Sequence, residues 1–433
     1  MSKLDPDKQR AFAVEVVQKL RAQDYQAYWA GGCVRDQLLG HVPKDYDVAT
    51  TARPEQVREL FGHRRTRAVG AAFGVILLSG PKNAGPIEIA TFRRDSTYSD
   101  GRHPDAVEFS TPEVDAQRRD FTVNGLFYDP LEDRVIDFVG GQDDLARGIL
   151  RAIGDARARF AEDKLRLLRA VRFAATLDFQ LDPATRQALE SMAGQVAQVS
   201  VERIADEMRR MLVHSSRVRG FVLLHEVGLL EAVLPELAMA NRADALTATG
   251  RPTDEAWLET LEMLQLLVSP TFPLALAALV HAFVEAASSQ QACRRWKLSN
   301  AECNRVEWLV ANQNALVHAR QASWPRLQRL LISDGIEELI ALHEAIAQAK
   351  GQPTDDLEYC RQRLRMPPHE LDPPPLVTGD DLISHGVPRG REYQRLLTAI
   401  RDAQLEKRIT TKAQAIELIN QLRREKAPPE TLD

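Results

Sequence analysis

Two kinds of hydrophobic spacing divide the chain. Across the first third, apolar residues come in short β-branched or aromatic runs at Tyr25–Trp29, Tyr46–Thr50, Val75–Leu78, Ile87–Thr91, Val107–Ser110 and Val135–Phe138. Gly and Pro punctuate these runs, which is the signature of strands. An amphipathic helix is predicted ahead of them, near residues 5–22. From about Asp155 the period lengthens to 3.6 residues, as in AEDKLRLLRAVRFAATL, VERIADEMRRMLV and TDEAWLETLEMLQLLV, and the strand signal almost vanishes. Strands first and helices afterwards predict an α+β protein, a mixed-sheet head followed by a string of helices. Two stretches read as boundaries: Asn241–Thr253, small and polar, and Met366–Thr378, MPPHELDPPPLVT, the clearer linker.

Composition narrows the class. With 433 residues and 44% apolar content, the chain has room for two to four domains at roughly 100–200 residues each, and neither disorder nor a lone mini-domain fits. Charged residues make up 27% and the net charge is −5, so contact with nucleic acid must come from local basic patches. Cys33, Cys293, Cys303 and Cys360 lie far apart without a CxxC pair, which suggests reduced thiols and neither a zinc ribbon nor a disulfide framework. The N-terminus lacks an apolar signal core, and no run approaches the roughly 20 apolar residues that span a bilayer. A cytoplasmic protein with no membrane association is expected.

The candidate chemistry lies in three places. Residues 30–50 read AGGCVRDQLLGHVPKDYDVAT. Asp45 and Asp47, two apart in a predicted strand, share a face; two neighbouring carboxylates resist ionisation unless a cation joins them, and Mg²⁺ accepts one or two carboxylates with substrate phosphates and water. That arrangement suits phosphoryl or nucleotidyl transfer. Upstream, Gly31 and Gly32 open a helix-like VRDQLLG, so backbone N–H groups and Arg35 are placed for a phosphate. Taken alone, the aspartate doublet is also an ordinary solvated strand end and the glycine pair an ordinary turn; both fall within one strand, turn, helix, strand unit. Glu88, in the alternating PIEIATF, is either a third carboxylate or an outward solvated residue.

The second place is QRRDFTVNGLFYDP at residues 117–130. Arg118, Arg119, Asp120 and Asn124 together offer arginine forks for phosphate oxygens and an acceptor for a ribose hydroxyl; a salt-bridged helix start with a capping Asp is the plainer reading. The third is EDKLRLLRAVRF, with Asp163, Arg166, Arg169 and Arg172 at every third residue. Asp163 beside Arg166 can present a hydrogen-bonding edge like that of a partner base, or be an ion pair on a wet helix. On one continuous helix, each three-residue step falls about 60° short of a turn, so one flat ligand cannot bridge all four.

Together these motifs resemble the bacterial tRNA nucleotidyltransferase and poly(A) polymerase family, the class II group of the polymerase β-like superfamily. GGCVRDQLLG, PKDYDVATTARPEQV, TFRRDSTYSDGRHPD, RRDFTVNGLFYDP, VIDFVGGQDDL, EDKLRLLRAVRFA and VERIADEMRRML occur in the family's order from about residue 25 to 214, and PPPLVTGDDLI is a family-like tail. The resemblance implies a seahorse-like protein: a catalytic head (1–150), a helical neck for base recognition (151–215), a helical tRNA-binding body (216–365) and a helical tail (366–433). It implies that Asp45 and Asp47 hold catalytic Mg²⁺, that Gly32 and Arg35 bind the triphosphate, and that Arg119 and Asp120 contact nucleotide and sugar. Asp163 and Arg166 would read the base, with Arg169 and Arg172 as further nucleotide-binding positions.

The reaction so implied is attack of a tRNA 3′-hydroxyl on the α-phosphate of CTP or ATP, releasing pyrophosphate. TFRRDSTYSDGRHPD resembles the loop that lets family enzymes switch from C to A, which disfavours a CC-only enzyme. Full CCA addition is the first expectation; A-only addition and poly(A) synthesis are the alternatives. Rival classes are an RNA-binding module with a decayed site and transfer to a small acceptor, such as an antibiotic. Many relatives carry a His–Asp metal-hydrolase pair after the neck; here His281 is followed by Ala282, so no such phosphohydrolase activity is expected and His281 reads as a buried helix histidine.

Overall fold

Asp5 starts the first helix: its carboxylate accepts from the amides of Asp7 and Lys8, and Pro6 occupies the first turn of α1 (Pro6–Arg21). The apolar stripe of α1, Phe12, Ala13, Val16, Val17 and Leu20, is buried in one core with Trp29, Val48, Ile76, Leu78, Ile87 and Ile89. Those residues belong to the sheet of a computed structural model that describes residues 4–70, 74–95, 107–235, 254–387 and 389–424. The chain forms two compact units, Met1–Thr253 with Ala292–Leu298, and Asp254–Gln291 with Ser299–Asp433.

In the first unit the strands are β1 (Ala27–Ala30), β2 (Asp47–Thr50), β3 (Thr66–Gly70), β4 (Val75–Leu78), β5 (Ile87–Thr91), β8 (Phe127–Asp129) and β9 (Arg134–Ile136), in spatial order β3-β4-β5-β2-β1-β8-β9. Only β2 and β5 run parallel; every other neighbour is antiparallel, the mixed sheet expected. Helix α2 (Gly32–Leu38) links β1 to β2, and α3 (Pro54–Phe61) follows β2. A small ribbon pairs β6 (Arg93–Asp95) with β7 (Val107–Phe109), and α4 (Pro112–Gln117) leads from it. The far face of the sheet buries Ala30, Ala49, Phe92, Ala116 and Phe127.

After α5 (Gly141–Arg147) and β10 (Ile149–Leu150) come α6 (Ala156–Glu162), α7 (Leu165–Thr176), β11 (Gln180–Leu181), α8 (Pro183–Met192), α9 (Val201–Leu212) and α10 (Arg217–Glu226). Helix α7 is buried along nearly its whole length, including Arg166 and Arg172. A helix apolar on most of its surface is surrounded by protein. The second unit is helical throughout its described residues, and its C-terminal part closes its own core from Val377, Leu382, Leu396, Ile400, Ala403 and Ile419.

Four expectations need correction. Asp45 is not in a strand: β2 begins at Asp47, and Asp45 lies in the bend after Pro43, a residue that marks turns and strand ends. EDKLRLLRAVRF is not one helix. Asp163 has extended backbone (φ −143°, ψ 104°) and its carboxylate accepts the amide of Leu165 at 3.0 Å, so a local side-chain bond starts a new helix. The neck region is not wholly helical, because β11 pairs in parallel with β10. Met366–Thr378 does not separate the two units: Gln328 donates to the carbonyl of Leu371, and Arg401 to Pro373 and Asp372, tying the stretch down on both sides. The other expected boundary, at 241–253, and residues 96–105 of the expected switching loop lie outside the described residues.

Candidate active site

Gly31 turns the chain from β1 into α2 with φ +70°, a conformation that L side chains rarely adopt. A Cβ there would also stand 3.1 Å from Nη1 of Arg119, so the glycine serves both the turn and the approach of an arginine. One helical turn later, Arg35 is buried. Its Nε and Nη2 donate to Asp36 Oδ1 at 2.9 and 2.7 Å, and its Nη1 to Asn124 Oδ1 at 2.7 Å.

Gly31, Gly32 and Arg35 line one cleft of about 1250 Å³. Asp45, Asp47, Arg118, Arg119, Asp120, Asp163, Arg166, Arg169 and Arg172 line it too. Every site residue expected from the sequence is therefore brought to a single opening in the first unit. Glu88 does not line it, but it is the register partner of Asp47 on β5 and is exposed.

Carboxylates and guanidiniums occupy the cleft differently. Burial, then the charges of Asp45 and Glu88, push the Asp47 carboxyl up to about 7, and Arg119 offsets this only in part. This acidic corner is short of positive charge. A hard divalent cation suits it, since such ions take one or two carboxylates and complete their shell with substrate phosphates and water. Among the described residues no three His, Cys, Asp or Glu side chains form a fuller metal cage; Asp45 and Asp47 are the candidates.

The arginines, by contrast, are already neutralised. Asp115 is buried and accepts from Arg118 and, through Oδ2, from Nε and Nη2 of Arg119 at 3.2 and 3.0 Å. Burial would raise the Asp115 carboxyl, but these two cations bring it below the usual range. Asp120 accepts Nε and Nη2 of Arg169 at 2.9 and 2.7 Å on one oxygen, and Asn124 Nδ2 and the Phe121 amide on the other. Against its burial, Arg169 and Asn124 pull it down to about 2. Arg172 pairs with buried Glu207 of α9; its own burial nonetheless leaves its pKa below that of a free arginine.

Asp163 and Arg166 are not paired with one another. Asp163 accepts a bidentate pair from Arg203 of α9 at 3.1 and 2.8 Å, and Arg166 donates to Glu162 at 2.6 Å and to the carbonyl of Arg159. The helix break removes the geometric difficulty of the continuous-helix reading: Asp163 sits off α7, and the three arginines span only two steps of it. The rim of the cleft carries His41, Lys44, Arg210 and His214. His214 is held below the usual histidine range by burial and then by Lys44, Arg217 and Arg172.

Asp115, Glu162, Arg203 and Glu207 were missed as parts of this site, whereas Asn124, singled out with Arg118, Arg119 and Asp120, lines it. One was findable: Glu207 falls on the apolar stripe Ile204, Ala205, Met208, Met211, Leu212 of α9, and a carboxylate on such a stripe requires a buried cation. Arg203 and Glu162 fall on ordinary amphipathic helix surfaces and carry no comparable signal.

The comparisons with known proteins agree along the chain. Residues 27–151 match the model described as the poly A polymerase head domain, 178–240 the probable RNA and SrmB-binding site of polymerase A, and 272–419 a putative tRNA nucleotidyltransferase domain 2. A CCA-adding enzyme of Geobacillus stearothermophilus is 35% identical over 392 residues, covering 90% of this chain and 91% of the relative. One from Lactiplantibacillus plantarum is 31% identical, covering 93% and 94%. Poly(A) polymerase I of Haemophilus influenzae is 39% identical, but over 52% of each chain. Among solved structures, the Bacillus stearothermophilus CCA-adding enzyme in complex with CTP has a TM-score of 0.77 at 29% identity, covering 97% of this chain and 99% of that one.

Proposed function

Because the chain belongs to the bacterial tRNA nucleotidyltransferase and poly(A) polymerase family, we propose that it adds the 3′-terminal CCA to tRNA from CTP and ATP. The observation that carries this is the division of one cleft into an acidic corner, Asp45 and Asp47, and an arginine wall, Arg35, Arg119, Arg166, Arg169 and Arg172. Full-length similarity to CCA-adding enzymes supports that product over poly(A), since similarity to the poly(A) polymerase stops at half the chain.

In this reading the tRNA 3′-hydroxyl attacks the α-phosphorus. The new bond is 3′-oxygen to α-phosphorus; the bonds broken are the hydroxyl O–H, whose proton passes to solvent, and that phosphorus to the α,β-bridging oxygen, and pyrophosphate leaves with both electrons of the latter. Asp45 and Asp47 would hold Mg²⁺, which supplies ionisation of the attacking hydroxyl and neutralisation of developing phosphate charge. The protein's own contribution is positioning. Gly32, Arg35 and Arg119 bind the triphosphate, with Gly31 keeping the space beside Arg119 open. Arg169 and Arg172 extend that wall, and Asp120 orients Arg169 through a two-pronged ion pair; in the ligand-free site both its oxygens are engaged, so a ribose contact requires sharing one. Asp163, steadied by Arg203, and Arg166, steadied by Glu162, supply the acceptor and donor edge that reads the base.

The substrate and the four free, buried cysteines support a cytoplasmic setting, and among the described residues no helix is long and apolar enough to cross a membrane. The test uses purified protein and Mg²⁺ with tRNA transcripts ending before CCA, after C and after CC, each given CTP, ATP or both, with products sized. Addition of C, C and A to the shortest transcript is expected. A single A on the CC-ended tRNA alone would make the enzyme an A-adder, long A tails a poly(A) polymerase, and no extension would overturn the proposal.

A further inference from the structure

Among the described residues, Phe173 is the one Phe, Tyr or Trp side chain that lines the cleft, and it is 8% exposed. Three guanidinium groups gather around it. The carbon at the centre of Arg172's guanidinium is 4.1 Å from the ring centroid, and those of Arg169 and Arg35 are each 5.1 Å away. Arg169 is one helical turn before Phe173, so the two share a face of α7; Arg35 arrives from α2. The ring itself is held by Phe121, edge to face at 5.8 Å and 76°. Phe121 directly follows Asp120, whose carboxylate holds Arg169. The Asp120–Phe121 dipeptide thus grips the Arg169–Phe173 pair twice, by charge and by ring.

Three like charges around one point repel, and the hydrogen bonds that hold each guanidinium act at its edge, leaving its faces open. An aromatic ring adds an attraction that an aliphatic side chain of equal bulk lacks, and it offers a flat surface against which planar guanidiniums stack. We propose that Phe173 is a positioning residue that sets Arg35, Arg169 and Arg172 in the places from which they meet the triphosphate of the incoming nucleotide. It rests on the nucleotidyl-transfer reading for its substrate, while the arrangement of arginines stands on geometry alone.

The test compares Phe173→Leu with Phe173→Tyr. Phe173→Leu is expected to raise KM for CTP and ATP together, by about tenfold for the loss of contacts to several guanidiniums, with kcat at saturating nucleotide changing much less. Phe173→Tyr keeps the ring and is expected to stay within about twofold of wild type, the order expected where the ring–cation contact is retained. A role in packing alone would lower kcat and melting temperature without a selective rise in KM. Wild-type KM in Phe173→Leu, or equal impairment in the two variants, overturns the proposal. Should Phe173→Leu not fold, Phe173→Met against Phe173→Tyr makes the same comparison. Calorimetric binding of inorganic tripolyphosphate separates this inference from the assigned reaction. If wild type extends no tRNA but binds tripolyphosphate more tightly than Phe173→Leu, the reaction fails and the positioning role stands; equal binding overturns the role whatever the reaction.

Discussion

Replacing Asp47 by Asn should stabilise the metal-free protein while removing nucleotide addition. The Asp47 carboxyl lies at about 7 in the folded chain against 3.8 for the free side chain. The folded state therefore keeps the proton longer, and the associated stability is complete below the unfolded value and lost as pH rises through 7. Some three units at about 1.4 kcal/mol each give about 4 kcal/mol; solvent in an open cleft screens roughly half, leaving about 2 kcal/mol. Asn mimics the neutral carboxyl and does not titrate. For a unit of this size about 2 kcal/mol is a rise of roughly 4–8 °C in melting temperature. Thermal melts in EDTA should show that gap at pH 8, a smaller one at pH 5, and none near pH 3, below the unfolded value. Added Mg²⁺ or Mn²⁺ should raise the wild-type melting temperature and leave Asp47→Asn nearly unmoved. An Asn variant less stable than wild type in EDTA at pH 8, or a gap independent of pH, would refute the charge-deficit argument.

Asp120→Asn tests the opposite sign: with its carboxyl pulled down to about 2, the pair with Arg169 contributes about 2 kcal/mol above pH 4 that disappears between pH 4 and 2, so acid-titrated urea melts of variant and wild type should converge there. Gly31→Ala should cost about 1–2 kcal/mol in urea denaturation from its positive φ, and should weaken CTP binding because the new methyl displaces Arg119. Arg203→Gln should leave Asp163 unsteadied, lowering the kcat/KM ratio for CTP over UTP several-fold, on the order of 1 kcal/mol for a lost charged hydrogen bond; an unchanged ratio would show that Arg203 does not serve base reading.

Much of this site was legible because its chemistry is carried by local runs. Gly32, Arg35, Asp45, Asp47, Arg119, Asp120 and the Asp163 to Arg172 series all line the one cleft. Strands Val75–Leu78 and Ile87–Thr91 were likewise legible from alternation. What was hidden depends on contacts distant in sequence or on backbone detail. Strand β3 is an edge strand with exposed Arg67, so one face has no apolar signature, and β8 is three fully buried residues with no alternation to read. The break at Asp163 turns on a single side chain bonding its own backbone two residues ahead. Arg203 and Glu207 reach their partners across 40 and 35 residues, a pairing that only the packing of α7 on α9 creates.

The arginine wall has a consequence for turnover. Arg35, Arg119, Arg166, Arg169 and Arg172 are each already bonded to Asp36, Asp115, Glu162, Asp120 and Glu207. A polyphosphate entering the cleft thus meets guanidiniums that resident carboxylates already hold in place, and shares them instead of filling a bare cationic hole. Such a wall has its charge balanced both before nucleotide enters and after pyrophosphate leaves, which suits an enzyme that must clear the same pocket after every addition. A naked arginine cluster, by contrast, would carry its full positive charge whenever the pocket stood empty.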